Sequence, residues 1–407
     1  MIVGSRIGDI YGRRRIFICG MALFTIASAA CGLAPNANVV VVARIVQGLS
    51  AALFSPQILA ILSTLYGGTA KAPALNAYGF CMGLASVFGQ VIGGLLISLN
   101  LFGWGWRSCF LINVPIGILT IMMTVRVVPE MRAPIRPELD LAGMLVIALA
   151  LVATTLPLIE GREQGWPAWS WLSLATALML FAAFTLYERG LKRRGVHPLI
   201  DFDLFKERTF SVRLLAQLIF YMSMAGFYLV FAIYVQDGRG VDALQAGTLF
   251  IANGAGYLGS SSVARLMGER LGRQVLALAG LLRAIGLGVL GLSVLGYAQT
   301  HSLLWLVPGL FINGLGTGFA VAPLAANVLT RVSSQHIGAA SGVLTTGIQV
   351  GNAFGVAIIG VIFYGSLDGV RYGHAFGLSL VYLIAMCLLL CVLVQFLPAD
   401  RSSKDIM

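Results

Sequence analysis

The chain has 407 residues, of which 58% are hydrophobic and only 11% charged, and its mean hydropathy is +0.89. A soluble domain carries about a quarter of its residues as charges to face water, so a soluble enzyme or binding module is excluded and a polytopic helical membrane protein is indicated. The net charge of +11 does not point to nucleic acid, because the basic residues fall in short loops where membrane topology already demands them.

Taken in chain order, Arg6, Arg13, Arg14 and Arg15 come first and an apolar run near 16 to 34 follows. The run is of full span length, about 20 residues for about 30 Å of hydrocarbon, and reads as a span, not as a cleavable signal peptide. Further spans are predicted near 39 to 62, 76 to 99, 108 to 127, 140 to 159 and 169 to 187. A basic segment then leads to six more, near 210 to 235, 244 to 264, 274 to 297, 303 to 328, 338 to 364 and 374 to 397. Twelve spans alternate so that 21 Lys and Arg residues lie on one side and 4 on the other (Arg107, Arg162, Arg239 and Arg371), with Arg44 and Arg283 inside spans. The excess marks the cytoplasmic side and places both termini there, in a cell inner membrane.

The six cysteines lie in or at the edge of apolar runs with no disulfide or zinc spacing, and read as small packing residues. His197, His301, His336 and His374 fall in loops or near span ends. No paired carboxylates, metal-ligand cluster or phosphate-binding loop accompanies them, so a membrane-embedded enzyme is disfavoured and neither cofactor nor metal is implied. All 16 Asp and Glu residues lie in loops or near span ends.

An internal repeat gives the organisation. Gly8-Asp9-Ile10-Tyr11-Gly12-Arg13 is answered by Gly268-Glu269-Arg270-Leu271-Gly272-Arg273, each just before a span. The glycines permit a tight turn, and Asp9 can cap a helix or pair with an arginine. Such a carboxylate can work as a latch: formed in one of two conformations, it biases their populations; the alternative is a solvated loop whose charges only set topology. Gly8, Asp9, Gly12, Arg13, Glu269 and Arg273 are the latch candidates.

The segment Gly4-Ser5-Arg6-Ile7-Gly8-Asp9-Ile10-Tyr11-Gly12-Arg13-Arg14-Arg15 resembles the signature loop between the second and third helices of the major facilitator superfamily. Arg44-Ile45-Val46-Gln47-Gly48 resembles its fourth-helix motif. Trp106-Arg107-Ser108-Cys109-Phe110-Leu111-Ile112-Asn113-Val114-Pro115-Ile116-Gly117 is similar to the sixth-helix entry of its fourteen-span drug:proton antiporter branch. The resemblance implies an all-α major facilitator fold with two bundles rocking about a midplane site. Eight spans, not six, separate the two loop signatures, so two helices are inserted, those near 140 to 159 and 169 to 187. The expected domains are an incomplete N-terminal bundle of four spans (1–128), the inserted pair with a linker (129–208) and a six-helix bundle (209–407). By that plan two helices that should precede the first signature are missing, with the acidic residue usual in the first, which predicts an upstream start or a truncated product.

The resemblance implies a proton-coupled exporter of small amphiphilic or drug-like compounds, working as a monomer in the lipid bilayer. The competing readings are an inactive truncated transporter and a non-transporting membrane sensor or scaffold. Arg44 and Gln47 share a helix face at i and i+3, and the resemblance implies a role in proton transfer or in holding coupling groups; the alternative is that Arg44 snorkels to the surface. Arg283 is deeper, but its helix matches a peripheral one, which favours a structural role as much as a functional one. Glycines 79, 83, 89, 93 and 94 resemble the fifth-helix antiporter signature, except that Gly89 is followed by Gln90 where the family has proline. Their counterparts are Gly347, Gly351 and Gly355. Gln57, Gln90, Gln217, Tyr221, Asn253, Asn313, Gln349 and Asn352 are the substrate-cavity candidates, a polar but uncharged set suited to amphiphilic solutes, although any single amide among them is more simply read as an interhelical hydrogen bond.

Overall fold

The computed structural model describes residues 1–132, 140–194, 208–296, 302–329, 337–367, 369 and 371–397. Arg136, Lys206, Arg331, Arg401 and Lys404 of the topology argument, and His197, His301 and His336, lie outside the described residues. Among the described residues every regular element is helical, and eleven helices are long and apolar enough to cross a membrane. The all-helical architecture follows from the solvent: a backbone in hydrocarbon must satisfy its own N–H and C=O groups, and a helix does so within one segment.

The chain opens with α1 (Ile2–Tyr11), followed by α2 (Arg13–Gly32) and α3 (Ala37–Leu65). The signature segment, expected to be a loop, is helical up to a one-residue break at Gly12, whose φ of 111° only glycine adopts freely. The helix forms because Gly4 and Gly8 share one face and let α1 lie directly against α3, where a methyl on Gly4 would stand 2.0 Å from Ala52 O. Asn36 caps α3 by accepting from Val39 N at 3.0 Å. α4 (Lys71–Leu99) ends at Asn100 in the left-handed region (φ 41°). The span expected near 108 to 127 is two helices, α5 (Ser108–Leu111) and α6 (Asn113–Val127).

Next come α7 (Leu141–Glu163) and α8 (Ala168–Arg193), which pack on each other as a hairpin. α9 (Arg208–Ile233), α10 (Ala243–Leu271), α11 (Gln274–Gly296), α12 (Val307–Leu329), α13 (Ile337–Gly365) and α14 (Tyr372–Gln395) complete the order. α10 is the predicted span that is not among the eleven. It is 29 residues long, with Asp242 capping it through Gln245 N at 2.7 Å, and it carries Gln245, Asn253 and Ser260 to Ser262 within its length.

The chain divides into two compact units: residues 1–78, 89–139 and 326–346, and residues 79–88, 140–325 and 347–407. In the first, α2 is the central helix, packed on α1, α3, α5 and α6. In the second, α14 packs against both α9 and α11. Phe227, Phe231, Leu287, Phe363 and Phe376 are fully buried there, with Tyr234 stacked on Phe376 at 4.5 Å between ring centroids. The six cysteines are unpaired.

The glycine seam of α13 is a packing device. A methyl on Gly351 would sit 3.1 Å from Leu218 O and one on Gly355 2.2 Å from Met222 O, so α13 touches the backbone of α9. The α4 glycines do not form such a seam throughout. Gly83 faces the Tyr257 ring, whose hydroxyl donates to Gly79 O at 2.8 Å, whereas a methyl on Gly89 or Gly93 meets nothing within 4 Å.

Candidate functional site

The signature of the first unit forms a clamp between three helices. Asp9 near the end of α1 accepts from Arg13 Nε at 2.9 Å and Nη2 at 2.8 Å, across the Gly12 break. Arg13 Nη1 reaches α3, donating to Ala60 O at 3.1 Å and to Thr64 Oγ1. The guanidinium thereby joins a carboxylate to a carbonyl near the C-terminal end of α3, where helix dipoles favour positive charge. Both charged residues are buried. Burial holds the Asp9 carboxyl above its ordinary 3.8, outweighing the opposing pull of Arg13 and then Arg6.

Gln57, expected in a substrate cavity, belongs to this clamp. Its Nε2 donates to Gly4 O at 2.6 Å and to Leu53 O at 3.1 Å, and a methyl on Gly8 would collide with its amide at 2.2 Å.

Glu130, absent from the sequence-based candidates, closes the other side. Its Oε1 accepts from Arg14 N at 3.3 Å and Met131 N at 3.1 Å, and Oε2 pairs with Arg15 Nε at 3.5 Å. It therefore caps the start of α2, the position that favours an anion. A methyl on Gly12 would stand 2.4 Å from Glu130 Oε1. The available signal was positional: Glu130 is the one acid between Asp9 and Glu138.

The second copy repeats the turn. Gly272 N donates to Gly268 O at 2.9 Å as Gly12 N donates to Gly8 O at 2.9 Å, and both turn glycines have positive φ. Arg273 donates to Gln395 O at 3.1 Å and to Leu397 O, at the end of α14. The side chain of Glu269 lies outside the described ones.

Arg44 and Gln47 meet as expected from their spacing: Arg44 Nη1 donates to Gln47 Oε1 at 3.1 Å, and the guanidinium stands 4.6 Å over the Phe110 ring. Arg44 is exposed while Gln47 is buried. Phe110 is itself fixed, its carbonyl accepting from Ser28 Oγ at 2.9 Å, which in turn accepts from Asn113 Nδ2 at 3.1 Å.

The remaining cavity candidates separate into groups. Asn313 Nδ2 donates to Asn253 Oδ1 at 2.9 Å, and Asn313 Oδ1 accepts from the buried Arg283. Gln349 and Asn352 bond to each other at 3.3 Å on α13. Gln217 and Tyr221 of α9 lie against Gly347 and Gly351 of α13. Gln90 is exposed on α4. Among the described residues no three His, Cys, Asp or Glu converge as metal ligands.

Known proteins give this geometry its setting. A relative from Streptomyces coelicolor described as "Probable actinorhodin transporter" is 36% identical over 375 residues, 90% of this chain and 64% of its own length. "Multidrug resistance protein Stp" from Mycobacterium tuberculosis is 31% identical over 88% of this chain and 64% of its own length. The chain thus spans just under two thirds of the length of these curated relatives. "Drug efflux pump JefA" from the same organism is 31% identical, with 88% and 68% covered. Among solved structures, the human organic anion transporter MFSD10 has a TM-score of 0.63 at 16% identity over 97% of this chain and 80% of its own. A POT family transporter has 0.65 at 17% over 96% and 84%. These two likenesses show the fold. The family model of the Major Facilitator Superfamily matches residues 1–196 and 213–405, and the chain belongs to that superfamily.

Proposed function

We propose that the chain forms the membrane-spanning body of a secondary transporter that exports small amphiphilic organic compounds in exchange for protons. The observation that carries this reading is the clamp at Asp9, Arg13 and the end of α3, built on a turn that recurs at Gly268 to Arg273. A buried ion pair tying three helices at one end is a bond that a rocking bundle can make in one state and break in the other. The relatives' names supply the substrate class, since they are described as transporting actinorhodin or as giving multidrug resistance.

The fourteen-span branch is supported by the pairing of α7 with α8 and by the seven membrane-length apolar helices that, together with the long helix α10, lie between the two signature copies. On this reading α7 and α8 are the inserted pair, the arginine-rich loops and both termini face the cytoplasm, and the chain works as a monomer in the inner membrane. Arg44, held by Gln47 and Phe110, is the coupling residue on the first unit, and Tyr221, Gln349 and Asn352 line the substrate path on the second.

The test is uptake of a fluorescent amphiphilic cation into everted membrane vesicles. Uptake that requires an imposed pH gradient and stops when a proton-exchanging ionophore collapses it is the expected result. Uptake that survives the collapse sinks proton antiport, and no uptake of any amphiphile by stably inserted protein sinks drug export.

A further inference from the structure

α11 carries a single charge well inside its length. Arg283 lies about 14 Å from one end of the helix and about 20 Å from the other at 1.5 Å per residue, and it is 1% exposed. Among the described residues its donors reach neutral acceptors: Nε to Asn313 Oδ1 and Nη1 to Phe220 O, both at 3.4 Å, with the guanidinium 5.0 Å over the Phe220 ring. Nη2 is buried without a hydrogen-bond partner. The stem cannot swing away, because Gly316 of α12 lies so close that a methyl there would stand 2.5 Å from Arg283 Cγ. Nor can Asn313 turn freely, since its amide nitrogen is committed to Asn253 at 2.9 Å.

A guanidinium keeps its charge at any accessible pH, and a buried charge requires an opposite one. Among the described residues, neither of the ion pairs Asp9–Arg13 and Arg15–Glu130 supplies a carboxylate to Arg283. A water can accept the orphaned N–H but cannot neutralise the cation. An ionisable side chain retained inside a membrane helix marks a site by default.

We propose that Arg283, with the Asn313–Asn253 pair beside it, binds a small monovalent anion of the size of chloride inside the second unit. Near-complete burial of the guanidinium favours a small anion over a bulky organic acid. The anion is then a structural counter-ion, distinct from any exported compound, and its binding does not depend on the transport reading.

The experiment uses the purified full chain in detergent at constant ionic strength, with chloride replaced stepwise by gluconate and thermal unfolding followed. Chloride and bromide raise the unfolding midpoint saturably in the wild type and leave Arg283→Gln unmoved. Arg283→Lys, which keeps the charge with fewer donors, saturates only at higher chloride. If Arg283→Gln does not fold, radioactive chloride binding to the wild type carries the test, with about one ion per chain displaced by bromide and not by gluconate. A wild-type midpoint indifferent to chloride, or an equal shift in Arg283→Gln, overturns the proposal. So does a shift produced by salicylate and not by chloride, which would assign Arg283 to an acidic group on an organic ligand.

Discussion

Asp9 and Arg13 are joined through one oxygen: Oδ1 of the carboxylate receives both Nε and Nη2 of the arginine, at 2.9 and 2.8 Å. The remaining donor, Nη1, is left to α3, so the pair acts as a three-helix joint. Removing either partner strands a buried charge, which costs about 3 kcal/mol. Asp9→Ala and Arg13→Ala are each expected to lower stability by that order in a denaturant titration of the purified protein. The double variant should lose less than the sum of the two, and strict additivity would refute the joint.

The same carboxylate sets a pH dependence. Burial raises the Asp9 pKa above 3.8, so the folded state binds its proton more tightly than the unfolded chain does. The stability this confers is full below about pH 3.8 and is lost as pH rises through the folded value. Asp9→Asn carries no such titration. The midpoint of the wild type minus that of Asp9→Asn should therefore fall as pH rises from the acid side, and a difference that climbs with pH contradicts the burial argument.

How much of this was legible follows from the range of each interaction. The Arg44–Gln47 bond was readable because the two lie three residues apart in one helix, where helical geometry alone brings side chains together, and a pairing of Asp9 with an arginine was readable from the charges crowded into one short segment. Glu130 was not, because its partners Arg14 and Arg15 are over a hundred residues away and no periodicity links them. Gln57 stayed ambiguous for a related reason: an amide in an apolar helix looks the same whether it faces a cavity or a neighbouring backbone, and the close approach of Gly4 gives it the interhelical bond. The helical state of α1 was hidden by its glycines, which read as turn residues and serve as contact residues.

Glu130 should behave as a cap and not as part of the joint. Glu130→Ala removes the acceptor at the start of α2 and the Arg15 pair, and is expected to cost about 1 kcal/mol. Combined with Asp9→Ala, which shares no partner with it, the losses should add within about 0.5 kcal/mol. Strong coupling in that cycle would merge the two into one network.

Two glycines on α13 separate packing from flexibility. Gly355→Ala places a methyl 2.2 Å from a backbone oxygen of α9, which cannot yield without moving the helix, and is expected to cost about 1–3 kcal/mol. Gly360→Ala meets nothing within 4 Å and gains up to about 1 kcal/mol of helix propensity. The comparison is made by thermal unfolding in one detergent, and equal effects would remove the α9–α13 seam as the cause.

Arg44 distinguishes coupling from anchoring. Its guanidinium donates to Gln47 and lies over Phe110 at once, a planar arrangement that a lysine ammonium cannot reproduce. Were Arg44 only snorkelling to the membrane surface, Arg44→Lys would preserve function, because lysine snorkels equally well. If Arg44 is the coupling residue, Arg44→Lys should slow proton-driven dye uptake by about tenfold or more, a barrier change of about 1.4 kcal/mol, with the amount of inserted protein unchanged. Gln47→Ala, which frees the guanidinium but leaves it over Phe110, should slow uptake less than Arg44→Lys. Normal uptake by Arg44→Lys would return this residue to a topological role and remove it from the proposed coupling.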